Sequence, residues 1–147
     1  MPVKRTLIVA VLLVVAVALA GCGGSATPST PSGGTGTGEY SHQIVELSPQ
    51  KLDDMIQTDA DLIIVDVSGK WADGHLVGAL DVPLDTLQTT INNTFSLSSG
   101  KHYVVYSHDE ESSKKGAQMF LDSSFNTVYR LTGGYDAWVA YGGYVEK

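Results

Sequence analysis

The sequence holds a single cysteine among its 147 residues, Cys22. No internal disulfide can form, and no cysteine-ligated zinc site can be built. Cations are scarce too: 9 Lys and Arg stand against 16 Asp and Glu, a formal net charge of −7. Beyond Lys4-Arg5, only Lys114-Lys115 places two of them together, which argues against nucleic acid as a partner. His42, His75, His102 and His108 never fall at the short spacing of a metal site. The acids from Asp53-Asp54 to Asp59 and Asp61 lack the glycine and terminal glutamate of a calcium loop, so they read as a solvated surface. No metal and no cofactor is expected, and there is no internal repeat.

Long apolar runs are also missing, with one exception. Leu7 to Ala20 is 14 uninterrupted apolar residues behind Lys4 and Arg5. As a helix it would span about 21 Å, short of the roughly 30 Å hydrocarbon core, so it reads as an export signal over residues 1–21. Leu19-Ala20-Gly21-Cys22 resembles a bacterial lipobox, which implies diacylglycerol on the Cys22 thiol and cleavage before it. The other readings are a plain signal peptide with a chance cysteine, or an uncleaved anchor. Two or more palmitate-class acyl chains, at about 0.8 kcal/mol per buried methylene, would hold the chain firmly at a cell membrane. The remainder would face outside the cytoplasm, with no free thiol left. Without Lys4 and Arg5 its charge falls to about −9, an acidity that favours solubility.

Residues 22–39 form the expected tether. Gly23 to Gly38 contains only Gly, Ser, Thr, Pro and one Ala, too little apolar surface to offset the entropy of ordering. Its 16 residues reach roughly 20–24 Å as a flexible coil. Residues 40–147 suffice for one domain with one hydrophobic core.

Strand and helix patterns alternate through that domain. Gln43 to Leu47 reads as a strand; Ser48 as an N-cap and Pro49 at the first helical position then predict a helix over Gln50–Ile56. Leu62-Ile63-Ile64-Val65 is an apolar run of the kind buried on both faces of a parallel sheet, and it ends at Asp66. A helical turn is expected at Trp71–Asp73, a strand at Ala79–Val82 halted by Pro83, and a helix at Leu84–Ile91 with Leu84, Leu87 and Ile91 on one face. Lys101–Tyr106 is a strand, Ser112–Leu121 a helix with Ala117, Phe120 and Leu121 inward, and Thr127–Leu131 a strand. Tyr135–Tyr141 is a last helix, closed by Gly142. This order predicts an α/β fold: a mostly parallel sheet of about five strands with helices on both faces, three layers in all.

Four motifs in order carry a resemblance. They are Leu62-Ile63-Ile64-Val65-Asp66-Val67; Trp71-Ala72-Asp73-Gly74-His75-Leu76-Val77-Gly78-Ala79 with Pro83; Val104-Val105-Tyr106; and Tyr129-Arg130-Leu131-Thr132-Gly133-Gly134-Tyr135-Asp136-Ala137-Trp138. Over essentially its whole length the domain resembles a rhodanese homology domain. In active members the third motif is followed by a cysteine and a loop whose N–H groups curl around a persulfide sulfur. The resemblance places that cysteine at Ser107, the loop glycine at Glu110, a loop arginine at Ser112 and a second arginine at Ser68. Related phosphatases and arsenate reductases need a cysteine and an arginine where this chain has Ser107 and Ser113.

A serine hydroxyl cannot form a persulfide, and it lacks the thiolate fraction that makes cysteine a nucleophile at neutral pH. Asp109, Glu110 and Glu111 crowd the same stretch. A carboxylate about 6 Å from an incoming anion costs on the order of 0.7 kcal/mol in water-like surroundings. Alternatively, these acids simply suit a helix N-terminus. Ser107-His108-Asp109 is no ready-made hydrolase triad, because sequence neighbours seldom converge on one atom and the glycines of a nucleophile elbow are absent. The candidate site is therefore a degenerate loop, Ser107, His108, Asp109, Glu110, Glu111, Ser112 and Ser113, with Asp66, Ser68 and His75 at its rim; His75 is expected to serve turn packing. The expected function is a non-catalytic binding or protein-interaction module with an unidentified protein partner. The alternative is a sulfurtransferase-related enzyme that acts with a partner's persulfide or through another nucleophile.

Overall fold

The computed structural model describes residues 42–147. The export segment, Cys22 and the tether lie outside the described residues. The elements are β1 (Gln43–Leu47), α1 (Pro49–Thr58), β2 (Leu62–Asp66), a 3-10 turn at Trp71–Asp73, β3 (His75–Leu76), β4 (Leu80–Asp81), α2 (Leu84–Asn93), a second 3-10 turn at Phe95–Ser98, β5 (His102–Tyr106), α3 (Glu110–Asp122), β6 (Thr127–Leu131), α4 (Gly134–Tyr141) and β7 (Val145–Glu146).

Five strands form one parallel sheet in the order β1-β6-β5-β2-β4. Helices cover both faces, as the alternation of strands and helices predicts. The period of two in the strands decides which helix lies where. Ile64, Val104 and Tyr106 join Leu52 of α1 and Trp138 of α4 in one core cluster. Their neighbours Val65, Tyr103 and Val105 join Leu87 and Ile91 of α2 and Ala117 and Phe120 of α3 in the other. A fully buried side chain such as Phe120 stabilises the fold by about 1.5–3 kcal/mol.

Local chemistry sets the ends. Ser48 accepts the Lys51 N–H at 3.3 Å and starts α1. Gly142 closes α4 in the left-handed conformation. Helix α3 begins at Glu110, two residues before the expected Ser112, because Asp109 caps it: its Oδ1 accepts the Ser112 N–H at 2.7 Å. Glu110 and Glu111, expected in the loop, thus belong to the first helical turn. The strand expected over Ala79–Val82 is cut to Leu80–Asp81 at the sheet edge. The antiparallel pair β3–β7 was not foreseen; it joins His75 to Glu146 and Leu76 to Val145. Among the described residues no helix is long and apolar enough to cross a membrane.

Candidate functional site

Strand β5 sits in the sheet interior between β6 and β2, so its carboxyl end opens at the centre of the sheet. There Tyr106 hands over to Ser107, which is fully buried. The Ser107 hydroxyl donates to Asp109 Oδ2 at 3.2 Å, and the Asp109 N–H lies 3.4 Å from the same Oγ. On its far side the Ser107 carbonyl accepts the Tyr135 N–H at 3.0 Å, fastening the strand end to α4.

Only three residues, Ser107, His108 and Asp109, separate β5 from α3. The Asp109 side chain occupies the place an anion would take at the helix end, since it holds the Ser112 N–H itself. That N–H keeps the Asp109 carboxyl below its ordinary value, outweighing the cost of burial. His108 does not address Ser107. Its ring stacks on Tyr135 at 4.2 Å with 6° between planes, and Nε2 donates to the Gly74 carbonyl at 2.9 Å. Ser107 and Asp109 are thus in contact while the imidazole between them in sequence is engaged elsewhere.

The acids of the loop do not act alike. Glu110 pairs with the buried guanidinium of Arg130, and its Oε1 accepts the Gly133 N–H at 2.6 Å. Arg130 also grips Glu46 with a two-pronged contact, Nε to Oε1 at 2.9 Å and Nη2 to Oε2 at 2.6 Å. Its Nη1 donates to Ser113 Oγ at 3.0 Å. Glu110 is thus not free in the loop: its hydrogen bond to Arg130 holds the carboxyl below its usual range, although Arg130 is shared with Glu46 and the three groups together keep one net negative charge. Glu111 stays exposed on the first turn of α3, whereas Ser112 is half-buried and contributes its N–H to the cap.

The three expected rim residues do not share a rim. Asp66 is fully buried below it, accepting from Tyr106 Oη at 3.0 Å and from the Ser68 N–H at 2.8 Å. Tyr106 also receives the Leu76 N–H at 3.0 Å. Burial pushes the Tyr106 phenol far up, and the neighbouring Asp66 adds to this, so Tyr106 remains a donor. Ser68 is half-buried in the turn after β2, and its Oγ accepts the Lys70 N–H at 3.0 Å. His75 is buried in β3, stacked on Trp71 at 3.5 Å.

Arg130 and Glu46 were absent from the candidates read in the sequence. Half of their signal was available: a cation in the apolar run of β6 needs a counter-charge, whereas the choice of Glu46 is made by the β1–β6 register of the folded sheet.

A family model for the rhodanese-like domain matches residues 48–141. The chain belongs to the rhodanese-like domain family. A solution structure of a rhodanese-like domain from Anabaena superposes with a TM-score of 0.62 at 25% identity, covering 69% of this chain and 77% of that one. A crystal structure of a protein from Bacillus halodurans gives 0.60 at 25%, covering 69% and 76%. A thiosulfate sulfurtransferase from Pseudomonas aeruginosa shares the fold, with a TM-score of 0.61 at 18% identity over 70% of this chain and 20% of that one. In this rhodanese-like domain Ser107 follows directly on Tyr106, the last residue of β5. Among the described residues no group of three His, Cys, Asp or Glu side chains could hold a metal.

The depressed carboxyls predict an acid response. Glu110 and Asp109 have ordinary values of 4.5 and 3.8 and are lowered in the folded protein. Their stabilisation is complete above the unfolded values and is lost as pH falls through the folded ones. The urea midpoint should therefore drop as pH falls from about 5 towards 3, and Glu110→Gln should flatten that drop. An equally steep profile in the variant would remove Glu110 from this role.

Proposed function

We propose that this chain is a rhodanese-like domain without the catalytic cysteine, anchored at a cell membrane through lipid on Cys22 and facing outside the cytoplasm. It acts there as a non-catalytic binding or protein-interaction module. The observation that carries the loss of catalysis is the Asp109 carboxylate: it holds the Ser112 N–H and the Ser107 hydroxyl, groups that an active loop would turn towards a substrate anion. A thiosulfate dianion would have to displace a covalently tethered negative charge. The buried Ser107 cannot carry sulfane sulfur in any case, and no second cysteine exists in the sequence.

Two experiments test the two halves of the proposal. Thiosulfate:cyanide sulfur transfer by Ser107→Cys should stay at background, because Asp109 still fills the helix end. Turnover well above background would show that the loop remains competent and lacks only its thiol. Metabolic labelling with a fatty acid should mark the natural protein and not Cys22→Ser, which should also leave the membrane fraction. An unlabelled natural protein would refute the anchor.

A further inference from the structure

On the α1/α4 side of the sheet, away from Ser107, lies a cavity of about 300 Å³ lined by Asp53, Ile56, Val77, Trp138 and Tyr144. That volume is at the lower end of the range for small-molecule sites, and apolar walls with one charged group are typical of them. We infer that this cavity binds a small alkylated ammonium ion, an organic cation with an apolar body.

The sequence Gly142-Gly143-Tyr144 builds the cavity wall. Gly143 lies against the Trp138 indole so closely that a Cβ there would come 2.0 Å from Cε2. The chain can therefore fold back over α4. The Tyr144 carbonyl is then held twice, by Trp138 Nε1 at 3.0 Å and by the Val77 N–H at 3.4 Å. Tyr144 as a whole is nevertheless 85% exposed, while Ile56 and Val77 are 42% and 46% exposed. A backbone so fixed that presents a phenol ring and two aliphatic side chains to solvent is an unfilled apolar surface with a defined shape.

Charge selects the ligand. The lining contains the Asp53 carboxylate and no Lys, Arg or His, and Asp54 follows it in α1. Asp53 is half-buried, and its Oδ2 already accepts the Tyr141 hydroxyl at 3.1 Å. A primary ammonium is compact and strongly hydrated, and apolar walls around a single carboxylate return only part of that hydration, so seating it there costs free energy. An ammonium wrapped in methyl groups has no donors to satisfy. It gains from the carboxylate, the aromatic face of Tyr144 and the apolar walls at once. Anions are repelled by Asp53, and neutral apolar molecules forgo its attraction.

The site is independent of Ser107 and stands whether or not that loop is catalytic. The test uses the full chain carrying Trp71→Phe, so that Trp138 is the sole tryptophan and can be excited selectively, with benzyltrimethylammonium and the neutral benzyl alcohol as probes. The cation should give a saturable change in Trp138 emission, with affinity about tenfold or more above that of the alcohol. Asp53→Asn should weaken the cation about three- to tenfold and leave the alcohol unchanged. Tyr144→Ala, at an exposed position, should weaken the cation as well. No saturable response, equal affinity for both probes, or an Asp53→Asn variant that binds the cation normally would each overturn the inference.

Discussion

Gly134→Ala should cost this domain about 2–4 kcal/mol and lower its melting temperature by about 10 °C or more. Gly134 opens α4 with φ +56°, where a side chain costs about 1–2 kcal/mol. The larger reason is contact. A Cβ there would lie 2.1 Å from the Ser107 carbonyl oxygen, a backbone atom that cannot swing aside. Relief requires α4 to back away from the end of β5, which breaks the Tyr135 N–H bond to that carbonyl. That loss adds about 0.5–1.5 kcal/mol. Thermal unfolding followed by circular dichroism measures the sum; a shift under a few degrees would mean that α4 and the Ser107 loop are not clamped as described.

Tyr106→Phe is the second large effect, at about 2–5 kcal/mol for the removal of one oxygen. The phenol stands between two buried groups, donating to Asp66 Oδ2 and accepting from the Leu76 N–H. Phenylalanine fills nearly the same volume, so no sizeable cavity forms. Instead it strands a carboxylate oxygen and a backbone N–H without a partner, each at about 1–3 kcal/mol. Tyr103→Phe is the internal control. Tyr103 is equally buried, but its hydroxyl serves only the carbonyls of Phe95 and Ser98, at 3.3 and 3.2 Å. Chemical denaturation should rank Tyr106→Phe clearly above Tyr103→Phe, and the reverse order would contradict the Asp66–Tyr106–Leu76 bridge.

The sheet was legible because its central strands are short continuous apolar runs, the pattern of strands buried on both faces. Ile64 with Val65 and Val104 with Val105 each split between the two cores, and the helices between them have apolar residues at helical spacing. The β3–β7 pair was not, since two-residue strands some 70 positions apart carry no local pattern and owe their pairing to the folded whole. Asp66 illustrates a finer point. As the end of an apolar strand it was read as reaching a pocket rim, yet its parity with Ile64 places it on the α1/α4 face beside Tyr106, where it is buried. The parity was present in the sequence; the register that supplies its partner was not.

The candidate loop was legible in composition and not in charge balance. Ser107, Asp109 and Glu110 do meet around one strand end, but Glu110 is tied to Arg130, whose approach depends on β1 and β6 pairing. What one side chain does for its neighbour is set by contacts 20 to 84 residues away, which no local spacing encodes. Asp109 is the exception. Three residues suffice to make it a cap, and that short-range geometry is what closes the helix end to other anions.

On the proposed reading, this rhodanese-like domain holds no sulfur on its way between donor and acceptor. The measurement that decides this is the intact mass of the processed, lipid-bearing protein after exposure to thiosulfate, before and after cyanide. One unchanged mass is expected throughout. A species one sulfur atom heavier, discharged by cyanide, would contradict it.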